Sequence, residues 1–288
     1  MGIPIASDAA LRAARSPAIS PSRAHWLRFT APIAALVALV SVVGLTVPDL
    51  YRGPAAWTIQ AVAQDAVDLV FVVPLLVGSA LLAARGSRRA WLVWLGALSY
   101  LVYTFLIYAF SVEHNPLFLA YAATLGLALW ALIGGLSTTD WTTLAARFEV
   151  EAPVRSVALL LIVPGVLFAL MWLGEEVPAA LNGTIPLGVL DNGVPTHPVH
   201  VIDLAMMLPA MIAVGWWLWR REARGFGLAP VLLVNMLCQN VAIGTMMVWA
   251  MRAGQPGQPA LAYAFGAFAI VVLVALVAWL RTLDDQEG

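Results

Sequence analysis

The sequence predicts an all-α, polytopic membrane protein of eight transmembrane helices, both termini inside, built as two parallel four-helix repeats. Three observations predict it. Of 288 residues, 62% are hydrophobic and 11% charged, where soluble domains are about half apolar and about a quarter charged. Eight apolar segments each approach the roughly 20 residues that cross a bilayer core about 30 Å thick. The arginines gather on alternate connections, as cytoplasmic loops do. The same composition excludes a soluble enzyme and a disordered chain. A net charge of -1 excludes nucleic acid as a partner, because phosphates need a basic surface.

Residues 1–28, rich in Ser, Pro, Ala and Arg, read as a disordered cytoplasmic tail and not as a cleavable signal peptide. The apolar segments run over about 30–48, 57–84, 90–110, 116–136, 156–177, 199–219, 228–250 and 260–281, each bounded by Gly, Pro or charge. Pro74, Pro164 and Pro209 fall inside segments and are expected to kink them. Residues 29–140 make the first four-helix repeat and 156–282 the second, with a cytoplasmic linker at 141–155 and a cytoplasmic C-terminal tail at 283–288.

All 15 cationic side chains are arginine, which excludes a retinal Schiff base or any lysine-attached cofactor. With the N-terminus inside, 13 arginines fall on inner connections and only Arg52 and Arg252 on outer ones. One helix more or fewer would invert the later loops and destroy this asymmetry. Cys238 is the single cysteine and lies in an apolar segment, where it acts as a small hydrophobe.

The repeat shows in the second and sixth segments. Asp68-Leu69, Pro74 and Arg85 recur as Asp203-Leu204, Pro209 and Arg220, each 135 residues on. A weaker correspondence links Val47-Pro48 and Gly53 to Val177-Pro178 and Gly183. Four helices per half make the halves enter the membrane in the same direction, related by a pseudo-two-fold axis along its normal.

Ionisable groups within membrane segments mark function. Asp68 lies 17 residues from Arg85, about 26 Å along a helix, which puts it near the outer boundary. Asp203 shares that depth. Asp65 and His200 stand one turn further out, also 135 apart. Residues three apart share a helix face, so Asp65 with Asp68, and His200 with Asp203, form two pairs expected to face each other across the axis. Capping of the first helical turn is the structural alternative. Glu113, His114, Glu175, Glu176 and Asp191 read as solvated loop groups. Asn235, Gln239 and Asn240 are the deepest polar residues. Trp57, Trp91, Trp94, Trp216, Trp217 and Trp219 read as interface belts, and the methionines as core filling.

Three functions remain. The first is binding or transport of a small molecule or ion at Asp68, Asp203, Asp65 and His200 as ligand-binding or protonatable groups. The second is an outward-facing, metal-dependent hydrolase, with His197, His200 and Asp203 as ligands of a divalent metal such as zinc. The third is a non-catalytic membrane subunit or scaffold. The lipid bilayer is a partner in every case, and a homo-oligomer is left open.

The stretch Thr196-His197-Pro198-Val199-His200-Val201-Ile202-Asp203-Leu204 with Leu208-Pro209-Ala210, the run from Gln64-Asp65 to Arg89, and Asn115-Pro116-Leu117-Phe118 resemble a family of multi-pass bacterial membrane proteins to which no activity is assigned. The resemblance implies the helical fold and a bacterial inner-membrane location. It implies no chemistry.

Overall fold

The apolar runs become eight helices in a computed structural model that describes residues 21–255 and 259–285. They are α1 (Arg23–Thr46), α2 (Trp57–Ala84), α3 (Arg88–Ser111), α4 (Phe118–Ser137), α5 (Val154–Asn182), α6 (Pro198–Trp219), α7 (Ala223–Arg252) and α8 (Pro259–Arg281). Each is long and apolar enough to cross a bilayer, so the chain is a multi-pass membrane protein.

Two boundaries depart from expectation. Helix starts at Pro21, inside the stretch expected to be a disordered tail. Trp26 explains this: a Cβ on Gly134 of α4 would overlap its indole, so α4 supplies a slot that holds the helix start. The rest of the expected tail, residues 1–20 with Arg12 and Arg15, lies outside the described residues. At the other boundary, α5 runs through Pro178 and ends on Gly183 at φ +62°, whereas α1 stops at Thr46, before Pro48. Pro178 forfeits one N–H bond without ending the helix, and Gly183 provides the left-handed stop. The local geometry therefore does not mirror the Val47-Pro48 and Val177-Pro178 correspondence.

Helices α3 and α7 form the centre. Within their apolar windows 78% and 56% of residues are buried by the protein itself, against 22–39% for the other six helices. They pack on each other, with α2 and α4 against α3 and with α6 and α8 against α7. Their crossing is close because Gly96 has no side chain: a Cβ there would overlap Val234 and stand 2.8 Å from the Val231 carbonyl. Small residues permit this backbone approach, which supplies the van der Waals contact that holds helices together in lipid. Helices α5 and α6 interlock the same way, Gly165 facing Ile212 and Gly215 facing Ile162.

The arginine-rich end is tied across the chain. Asp285 accepts from the Ser87 hydroxyl at 2.8 Å and the Arg89 amide at 3.0 Å, which caps the start of α3 with a carboxylate, as its dipole favours. The Glu149 amide donates to the Thr282 carbonyl at 2.8 Å, and the Asp284 amide to that of Arg147 at 2.9 Å. The stretches expected to be linker and tail are thus joined edge to edge. The turn after α2 and the turn after α6 share one geometry. Gly86 and Arg221, 135 residues apart, both have positive φ (97° and 58°). Ser87 N–H bonds the Leu82 carbonyl, and Glu222 N–H bonds that of Trp217.

The tryptophans divide. Trp216 and Trp219 are exposed, as a belt requires, but Trp91 and Trp94 are fully buried. Their indoles donate to Thr139 at 3.0 Å and Thr30 at 2.9 Å. The central position of α3 overrides the expectation from their place near a segment end.

Candidate functional site

Pro74 and Pro209 act through the turn before them. Residues Asp68–Val72 of α2 and Asp203–Met207 of α6 form single π turns, in which the Val73 amide bonds the Asp68 carbonyl and the Leu208 amide bonds the Asp203 carbonyl. A proline lacks an N–H and crowds the carbonyl four residues back, here Val70 and Ala205; a widened turn relieves that crowding. Each π turn begins at the aspartate singled out by the sequence. Pro164 lies in α-helix without such a turn.

Asp65 and Asp68 are both buried in α2. Asp65 Oδ2 accepts from the Tyr51 hydroxyl at 2.6 Å, and Oδ1 lies 3.0 Å from the Tyr108 hydroxyl, which also points at the Ala61 carbonyl, 3.1 Å away. Tyr51 comes from the α1–α2 connection and Tyr108 from α3. Burial and the neighbouring Asp65 push the Tyr51 phenol up from its usual range, so it stays protonated and donates. The space for this carboxylate exists because residue 44 of α1 is glycine: a Cβ there would overlap it. Asp68 Oδ1 accepts from Gln64 Nε2 at 2.9 Å and from the Tyr100 hydroxyl at 3.0 Å. Gln64 Nε2 also bonds the Tyr100 hydroxyl. Every one of these donors is neutral.

The counterpart in α6 is built differently. Asp203 is half-buried and accepts from the Tyr103 hydroxyl of α3 at 3.1 Å and the Trp172 indole of α5 at 2.9 Å. His200 Nδ1 stands 2.6 Å from Glu176 Oε1. Glu175 and Glu176 belong to α5, not to a loop. The His197 and His200 rings stack at 3.8 Å between centroids, with Trp172 4.1 Å from His200. Half-burial and the adjacent His200 push the His197 imidazole down from its usual range. Parallel stacked rings do not converge on a point, and Asp203 is held by other partners. The structure therefore does not assemble His197, His200 and Asp203 into a ligand set. Among the described residues, no cluster of three or more His, Cys, Asp or Glu side chains is placed to hold a metal.

Nor do the two pairs face each other; α3 stands between them. Tyr100 holds Asp68, Tyr103 holds Asp203 and Tyr108 holds Asp65. What joins the pairs is a cavity of about 260 Å³ between α2, α3, the start of α6 and α7. Gln64, Tyr103 and Tyr108 all line it, so Asp68, Asp203 and Asp65 each stand one hydrogen bond behind its wall. The remaining lining is mostly apolar and includes Ile107, Ile243, Met246 and Met247, with no charged side chain. Two lining donors are buried without a partner: Trp57 Nε1 and Gln239 Nε2. The expected belt residue Trp57 thus buries its N–H.

The aspartates were legible as intramembrane charges, whereas their tyrosine partners were missed. A signal existed: the chain has six tyrosines, three of them within nine residues of α3, and a buried tyrosine hydroxyl seeks an acceptor. Trp172 and the Glu176 partner of His200 carried no such signal. No family model, curated protein or solved structure matches this chain.

Proposed function

We propose that the protein binds a small, uncharged molecule in the cavity between α2, α3 and α7. The observation that carries this reading is the position of Asp65, Asp68 and Asp203, each one hydrogen bond behind the wall of one largely apolar cavity. An ion as cargo is disfavoured, since a bare charge in an uncharged, mostly apolar lining has nothing to replace its water. The carboxylates act from behind the wall by fixing the tyrosines and Gln64, and they are the protonatable groups of the site. The arginine excess supports a bacterial inner-membrane protein with both termini in the cytoplasm and with the opposite end, where the cavity lies, outside the cell.

The halves are proposed to be parallel repeats. Supporting this are the π turns at Asp68 and Asp203, the matched turns at Gly86 and Arg221, and the contact of Gly96 with Val231, all pairs 135 residues apart. A contact between equivalent residues is what a pseudo-two-fold axis between α3 and α7 requires. Repeats of this kind favour a second reading, carriage of the bound molecule.

A thermal-shift panel on purified protein tests the binding reading. Uncharged apolar compounds should stabilise the wild type, and not Ala61→Leu or Ile243→Phe, which fill the cavity. Stabilisation by Na⁺, Mg²⁺ or Zn²⁺ that disappears in Asp68→Asn would overturn it in favour of an ion site.

A further inference from the structure

The chemistry of the cavity wall goes one step beyond binding and rests on that reading. Of the lining groups, the Tyr103 and Tyr108 hydroxyls and the Gln64 amide are already committed as donors. Tyr103 and Tyr108 donate to Asp203 and Asp65, and Gln64 Nε2 donates to Asp68 and Tyr100. Among the other polar lining residues, which include Gln60 and Thr104, two carry a buried N–H without a partner: the Trp57 indole at the start of α2 and the Gln239 amide on α7. A buried donor without an acceptor is costly, and natural proteins rarely leave one so. Here two line the same cavity, on different helices, amid Ile107, Ile243 and Met246. We infer that the ligand is an uncharged molecule with an apolar body and a carbonyl-type oxygen that accepts from Trp57 and Gln239. The volume, about 260 Å³, lies near the lower bound of ligand pockets, which run from about 300 to 1,000 Å³. It suits the head of a membrane quinone or the ester end of a lipid.

Three probes distinguish the sources. Menadione is a bicyclic quinone, 2-methylnaphthalene has a similar carbon frame without oxygen, and methyl laurate carries one ester carbonyl on a chain. Equilibrium binding to the full-length protein in detergent should favour menadione or methyl laurate over 2-methylnaphthalene by about tenfold, the worth of a well-made hydrogen bond. Which carbonyl compound binds tighter identifies the source. Gln239→Leu removes the N–H at nearly constant volume, and Trp57→Phe removes it together with the fused five-membered ring. Each should weaken the carbonyl probe by about tenfold, and Gln239→Leu should leave 2-methylnaphthalene unchanged. Neither N–H bonds another protein group, so Gln239→Leu should fold with undiminished thermal stability. Equal binding of all three probes to the wild type, lost in Ile243→Phe, would overturn the carbonyl inference and leave the cavity reading standing. Failure of both carbonyl probes to bind, or unchanged affinity for them in both N–H variants, would also overturn the inference.

Discussion

Replacing Gly44 by alanine sets two physical effects against each other within one helix. Alanine in place of a mid-helix glycine ordinarily stabilises by about 0.5–1 kcal/mol. At position 44 the new methyl would occupy the space of the Asp65 carboxylate and lie 2.7 Å from the Tyr51 hydroxyl. Forced overpacking costs about 1–3 kcal/mol. If the carboxylate moves aside, its 2.6 Å bond from Tyr51 is stretched or lost, a further loss of about 1–3 kcal/mol for a buried acceptor. Overlap wins over propensity, and the net loss is about 2–4 kcal/mol. Gly78 of α2 provides the control, because nothing lies within 4 Å of a Cβ built there; Gly78→Ala should be neutral or mildly stabilising. Thermal unfolding of the two variants in one detergent measures the difference. At about 2–4 °C per kcal/mol, Gly44→Ala should melt well below wild type and Gly78→Ala at or slightly above it. Equal melting temperatures for the two variants would refute the account of how Asp65 is housed.

Further outcomes follow from the same geometry. Asp285→Ala removes the carboxylate at the start of α3 and should cost about 0.5–2 kcal/mol, with faster hydrogen exchange at the Arg89 amide that it accepts from. Arg221→Gly relieves a left-handed residue (φ 58°) and should stabilise by up to about 1 kcal/mol, read as a higher melting temperature. His197 is held below its ordinary value, about 6.5 in the unfolded chain. The unfolded state therefore takes up the proton first as pH falls. Stability is fully present above pH about 6.5 and declines below it until the folded-state value is reached. His197→Phe should remove that part of the acid-side slope in a melting-temperature profile.

The membrane class and the eight helices were legible because transfer into lipid is decided segment by segment. About 20 apolar residues meet the requirement whatever their neighbours do. Asp65, Asp68 and Asp203 stood out for the same reason, as acids inside such segments. The packing that surrounds them was not legible. Trp91 and Trp94 looked like belt residues until the central place of α3 buried them, and Glu176 looked like loop until α5 continued past Val177.

By itself, then, the sequence determined what enters the membrane, how many times, and where the rare charges fall along each helix, because those depend on composition and spacing within one segment. Only the tertiary structure decided their surroundings. Helix α3 stands between the two acidic pairs, tyrosines rather than metal geometry hold the carboxylates, and Trp57 and Gln239, which line one cavity, each keep a buried N–H without a partner. Those outcomes depend on which helix faces which, and close contacts such as Gly96 on Val231 and Gly44 beside Asp65 fix that choice. Such contacts join residues far apart in the chain, so no local pattern records them.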